Sequence, residues 1–220
     1  MIKLSYFLRI GIAFIIVSLL ILFGLQGFAK AEGSPPYKEL DQATLQVLMK
    51  RGPFLCIDEA VPGRVKPSTV GMLIEANPEQ VWNIITDYES YPELIPSVKE
   101  AKVLERNANT AIVYFKVVVL EIGLIKIATN YTLKMTFCKP DRIIISWVKG
   151  KVKDVNGFWD LIPIEEGKKT AAFYTISGDY RKAAIGADFL FSRQPELETL
   201  VSLSSSIVLL KATKKKAESQ

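Results

Sequence analysis

Histidine is missing from all 220 residues. Without an imidazole the chain holds no His-based catalytic triad and none of the usual zinc sites. Two cysteines, Cys56 and Cys138, are too few for an all-thiolate zinc site. They could pair in an oxidising compartment, or equally stay apart as two buried thiols. There is no phosphate-binding loop, no dinucleotide fingerprint, no internal repeat, and no pair of carboxylates at a convincing catalytic spacing. No metal and no cofactor are therefore expected. Charge of one sign is scarce too. The formal net charge is +5, but residues 1–31 contribute Lys3, Arg9 and Lys30 with no acid, which leaves +2 on the remainder. A domain so near neutrality lacks the concentrated basic face that nucleic acid requires. Lys211, Lys214, Lys215 and Lys216 cluster at the C-terminus, where they suit the negative end of a helix dipole or, alternatively, anionic lipid heads.

Apolar residues are abundant, at 49% of the chain. The longest run, Ile10 to Leu25, follows Lys3 and Arg9 and precedes a small-x-small site at Ala29-Lys30-Ala31. Residues 1–31 thus read as a secretory signal peptide or an uncleaved N-terminal membrane anchor. Either predicts an exported, periplasmic or otherwise extracytoplasmic protein that touches a membrane surface through this segment. Residues 32–64 follow as a linker, an amphipathic helix and an extra strand. The linker contains Gly33, Ser34, Pro35 and Pro36. The helix is expected over Tyr37–Lys50, with Leu40, Ala43, Val47 and Leu48 on its apolar stripe, and Gly52-Pro53 ends it. Phe54–Ala60 and Val65–Ala76 form a hairpin about Val61-Pro62-Gly63-Arg64.

Residues 65–214 carry the main domain, with 215–220 as a basic and polar tail. Asn77 is an N-cap, Pro78 takes the first helical position, and Gln80 completes a capping box. Val81, Trp82, Ile84 and Ile85 give that helix one apolar side, and the Tyr91-Pro92 and Ile95-Pro96 pairs stop it. Strands then follow one another at hairpin distance, which makes the sheet antiparallel, since parallel pairs need crossovers for which there is no room. From Ile125 to Phe137 the odd positions share one face and Lys126, Ala128, Asn130, Thr132, Lys134 and Thr136 the other. A final helix opens at Pro195, with acids at Glu196 and Glu198 in its first turn. Its expected inner stripe is Leu197, Leu200, Val201, Ser204, Ile207, Val208 and Lys211.

This order of elements resembles the START-related polyketide cyclase/dehydrase and lipid transport superfamily. The resemblance rests on the helix opening Ala76-Asn77-Pro78-Glu79-Gln80-Val81-Trp82, then Asp87-Tyr88-x-x-Tyr91-Pro92 and Ile95-Pro96. It continues through Gly157-Phe158-Trp159-x-Leu161-x-Pro163, Gly167-x-x-Thr170-x-x-x-Tyr174 and the closing helix from Pro195. It implies an α+β helix-grip fold, an antiparallel sheet curved around a long C-terminal helix with an apolar cavity between them. Such proteins bind lipids, sterols, quinones, polyketides or plant hormones, and a minority are catalysts.

The residues themselves point the same way. Inward strand positions place Ile127, Thr129, Tyr131, Leu133, Trp147, Trp159, Leu161 and Tyr174 opposite Leu200, Ser204 and Ile207 of the closing helix. Taken singly each suits a core; as a group they suit the lining of a concave apolar site, with Tyr131, Tyr174, Ser204 and Thr129 able to orient one polar head group. Lys126, Lys134, Arg142 and Lys153 fall on outward positions, and Glu105, Lys116, Asp154 and Asp160 depend on strand phases that a one-residue slip would reverse. No catalytic residue is singled out. The expected function is non-catalytic binding or transport of a hydrophobic small molecule of lipid, quinone or isoprenoid class. A polyketide cyclase/dehydrase-like enzyme and an envelope interaction protein with a filled cavity remain the alternatives.

Overall fold

The computed structural model describes residues 35–57, 66–122, 125–183 and 186–220. The chain divides into two compact units, Met1–Asp41 and Gln42–Gln220. In the first, Pro35 and Pro36 open a single 3-10 turn at Pro36–Glu39. The expected signal or anchor at 1–31 and the hairpin turn at 61–64 lie outside the described residues. No helix among the described residues is long and apolar enough to cross a membrane.

The second unit begins with α1 (Gln42–Lys50), so the helix expected from Tyr37 is interrupted at Leu40, whose backbone is extended. Its buried residues are Leu45 and Met49, while Val47 and Leu48 are exposed. The expected stripe was rotated by part of a turn, because Thr44 left a gap that the apolar spacing alone could not place. Met49 is held against the sheet at Gly71, where an added Cβ would meet Phe173 and Met49 at 2.6–2.7 Å. Phe54 of β1 (Phe54–Ile57) meets the Phe173 ring edge-on at 5.9 Å.

The hairpin partner of β1 is β2 (Ser68–Ile74), buried at every position because helices cover both of its faces. Then comes α2 (Pro78–Thr86), whose capping box is complete. Asn77 Oδ1 accepts from the Gln80 N–H at 2.9 Å, and Gln80 Oε1 accepts from the Asn77 N–H at 3.1 Å. A 3-10 turn at Tyr88–Ser90 and the short α3 (Tyr91–Leu94) fill the stretch where the prolines end the helical run. Six strands follow: β3 (Val98–Arg106), β4 (Thr110–Ile122), β5 (Ile125–Cys138), β6 (Arg142–Gly150), β7 (Lys153–Ile164) and β8 (Lys169–Asp179). Every pairing is antiparallel, in the order β1-β2-β8-β7-β6-β5-β4-β3. Cys56 on β1 and Cys138 on β5 are five strand spacings apart at ~4.8 Å each, far beyond the reach of a disulfide.

The short α4 (Ala187–Arg193) leads into α5 (Glu196–Ala217), which packs on β2 and β8 and crosses α2 and α3. Both ends of α5 are tied down. Near its start Glu198 Oε1 accepts from the Tyr180 N–H at 3.0 Å. Near its end Lys214 Nζ donates to the Leu73 carbonyl at 2.6 Å and pairs with Glu218 at 2.7 Å, and Glu218 accepts from the Glu75 N–H at 2.9 Å. The residues turned inward are Val201, Ser202, Ser206, Leu210, Thr213 and Ala217. Leu200, Ser204, Val208 and Lys211, expected on the inner stripe, are exposed. Val201 of that stripe is buried, and Leu197 and Ile207 pack partly against the core; the inner side is completed by Ser202 and Ser206, which apolar spacing alone does not mark.

Candidate functional site

The inner sheet face is set by alternation. Ala111, Val113, Phe115 and Val117 of β4 are buried between more exposed neighbours, and Thr129, Leu133 and Met135 continue the pattern on β5. Between this face and α5 lies a chamber of about 110 Å³. An apolar cavity of about 150 Å³ is enough to hold benzene, so this one has the space of less than one small ring.

Its walls are chiefly aromatic and aliphatic. Tyr88 and Tyr91 come from the turn and short helix after α2, Phe115 from β4, Tyr131 from β5, and Trp159 and Tyr174 from the paired strands β7 and β8. Ring centroids stand 5.7 Å apart for Tyr88–Tyr91, 6.1 Å for Tyr91–Phe115 and 5.9 Å for Phe115–Tyr131. On the other side Trp159 and Tyr174 are 4.7 Å apart. Tyr180, just after β8, also lines it. Ser205 of α5 both lines the chamber and is exposed, so it marks the mouth.

The sequence-predicted site residues divide plainly. Tyr131, Leu133, Trp159 and Tyr174 line the chamber together. Thr129 is buried on the same face of β5, Leu161 is fully packed in the core, and Ile207 is half-buried against it. Trp147 is half-buried and donates its indole N–H to the Val152 carbonyl at 2.8 Å. Leu200 and Ser204 face outward, the Ser204 hydroxyl donating to the Leu200 carbonyl at 2.7 Å. The side chain of Ile127 lies outside the described ones. Sequence reasoning missed Tyr88, Tyr91, Phe115, Tyr180 and Ser205. Phe115 was within reach of period-two alternation along β4, while Tyr88 and Tyr91 were read as part of the family motif, and Tyr91-Pro92 as a helix stop, without a place in the lining.

Ionisable groups other than phenols are absent from the chamber lining among the described residues. Asp160 is buried, but it is tied to Arg142 by two hydrogen bonds of 2.5 and 2.7 Å, on the partner position of the neighbouring strand. Arg142 in turn lies over the Phe158 ring at 4.6 Å. Burial pushes the phenols of Tyr88, Tyr91, Tyr131, Tyr174 and Tyr180 above their ordinary range. For Tyr174 the neighbouring phenols Tyr131, Tyr180 and Tyr88 add to that rise. All five are neutral donors at any physiological pH. The described residues contain no group of His, Cys, Asp and Glu able to hold a metal ion.

A long helix laid against an antiparallel sheet, with an aromatic chamber between, defines the helix-grip class. The chain belongs to the polyketide cyclase/dehydrase and lipid transport family, whose model matches residues 74–201. Three solved structures share the fold. A STAR-related lipid transfer protein from Xanthomonas axonopodis is 15% identical, with 76% of this chain and 98% of that one covered at a TM-score of 0.55. The Zhui aromatase/cyclase from Streptomyces sp. R1128 is 17% identical, covering 69% and 93% at 0.55. A START superfamily protein from Mycobacterium smegmatis is 14% identical, covering 70% and 97% at 0.54. No curated protein matches the chain.

Proposed function

We propose that this protein binds and carries a hydrophobic small molecule, of lipid, quinone or isoprenoid class, without transforming it. The observation that carries this reading is the lining: aromatic and aliphatic walls with no carboxylate, lysine or arginine among the described residues that form them. Of the similar structures, one is named as a lipid transfer protein and another as an aromatase/cyclase, so fold alone does not choose between carriage and catalysis. The lining favours carriage, because proton transfer needs an ionisable group of suitable pKa at the reacting atom. The apolar segment from Ile10 to Leu25 supports a place outside the cytoplasm, with the membrane approached through that segment.

Mass spectrometry of organic extracts from the purified full chain tests the proposal. A reproducible, stoichiometric apolar compound is the expected result. Preparations that emerge empty and take up no lipid, quinone or isoprenoid probe would overturn it. The small chamber favours a second reading, in which the cavity is filled by its own side chains and the protein serves as an envelope interaction module. Empty preparations that also refuse every probe are what that reading expects.

A further inference from the structure

The side of the sheet turned away from the chamber carries a pattern of its own. Strand pairing aligns Lys102 of β3, Tyr114 of β4, Thr132 of β5 and Lys149 of β6 in one row. Their strand neighbours Val113, Phe115 and Leu133 are buried toward the chamber, so this row faces outward. Lys116 stands two residues from Tyr114, and Lys134 two from Thr132, on the same side. Four lysines thus surround the Tyr114–Thr132 pair, the ends of the row lying ~14 Å apart at ~4.8 Å per strand. All four are exposed, and no ion pair or hydrogen bond holds any of them among the described residues. Glu100 and Glu105 of the edge strand lie opposite Lys116 and Ile112, while neither β5 nor β6 contains an acid.

Two β-bulges shape the same face. One extra residue, Leu104, interrupts the pairing of β3, and another, Val148, that of β6. Leu104 and Val148 are 49% and 41% exposed, and Ile144, on the outer face of β6 opposite Thr136, is 40% exposed. A groove of about 300 Å³ runs across the row, with Leu104, Tyr114, Thr132 and Lys149 in its walls. Aliphatic side chains therefore stand in water among unpaired cations.

We propose that this outer face of β3–β6 docks on an anionic lipid bilayer. Lys102, Lys116, Lys134 and Lys149 meet the phosphates, and Leu104, Ile144 and Val148 reach the acyl boundary. Lysine suits that position because its long apolar stem lies along hydrocarbon while the ammonium stays at headgroup level. Protein-recognition faces favour arginine and tryptophan and are poor in lysine, and this patch holds neither of the two. From the proposed function the inference takes only that the protein works beside a membrane.

Lysine acetylation of the full chain, read residue by residue in mass spectrometry, tests it. The reaction is run without vesicles, with phosphatidylcholine vesicles, and with vesicles of equal parts phosphatidylcholine and phosphatidylglycerol. Only the anionic vesicles should slow acetylation of the four lysines, by about fivefold or more, the worth of one lysine at an anionic surface. Lys66 and Lys168, exposed elsewhere on the domain, should stay within twofold. The protection should vanish in 1 M salt, where the screening length falls to ~3 Å. In Lys134→Gln/Lys149→Gln, whose changes lie on exposed positions, Lys102 and Lys116 should return to within twofold of their vesicle-free rates. Protection that is equal on neutral vesicles, or that falls on Lys211, Lys215 and Lys216 instead, would overturn the proposal. Soluble poly-glutamate protecting as well as vesicles would point to an acidic protein, and protection growing with protein concentration alone to a second copy; either overturns the lipid. Unchanged protection of Lys102 and Lys116 in the double variant would do the same. The carrier reading is decided by the organic extracts and stands or falls separately.

Discussion

Trp159 is the residue on which chamber and core most depend together. It is 3% exposed, lines the chamber and meets the Tyr174 ring at a tilt of 46°. Trp159→Ala should cost ~3–5 kcal/mol in urea unfolding, the usual penalty for deleting a buried aromatic, and should also reduce uptake of apolar probes. Gly150 acts from outside the lining. Its φ of +143° suits glycine alone, and an added Cβ would stand 2.5 Å from the Tyr131 Cα and 2.7 Å from the Asn130 carbonyl oxygen. Gly150→Ala should therefore cost about 1–3 kcal/mol for the disfavoured backbone and should displace Tyr131 as β5 and β6 separate. Chemical denaturation measures the first effect, and altered uptake of apolar probes the second.

Among the elements, α2 owes its start to two reciprocal hydrogen bonds. Asn77→Ala removes one and should cost ~1 kcal/mol, measurable as a lower midpoint with an unchanged denaturant slope. α5 carries a pH-sensitive tie. Glu198 is buried, and burial raises its pKa; Asp179 adds to the rise, while the Tyr180 N–H and Arg181 oppose it. The folded state therefore takes up a proton before the unfolded chain does, and stability falls as pH climbs from the ordinary carboxylate range through the raised value. Glu198→Gln keeps an acceptor for the Tyr180 N–H and loses the buried charge. It should raise the melting temperature at neutral pH, by an increment that shrinks toward acid. The elements also show what could be read in advance. On β5 the alternation from Thr129 to Phe137 gave the correct face, because a strand has period two and its polar positions there are largely lysine, asparagine and threonine. On α5 it found only part of the inner side, since Ser202 and Ser206 are buried beside Val201 while Leu200 and Val208 face solvent. A serine-lined inner side erases the apolar period by which a buried helix face is recognised. Tyr88 and Tyr91 were hidden for a different reason: their place depends on how the chain turns after α2, which local spacing does not encode.

At the scale of the Gln42–Gln220 unit, the sheet has two edge strands, β1 and β3. β1 has only four residues, and β3 carries Lys99, Glu100, Lys102, Glu105 and Arg106. Short length and alternating charge both discourage pairing with a second sheet. The chamber between sheet and α5 is smaller than any lipid or prenyl chain, and the helix above it is fastened at both Glu198 and Lys214. A bulky guest must then wait for those fastenings to let go, and the waiting time becomes the speed limit. Stopped-flow mixing should show an observed rate that climbs with guest concentration and then levels off, the plateau reporting how often the helix lifts unaided. A rate that keeps climbing in proportion to concentration would mean the door already stands ajar.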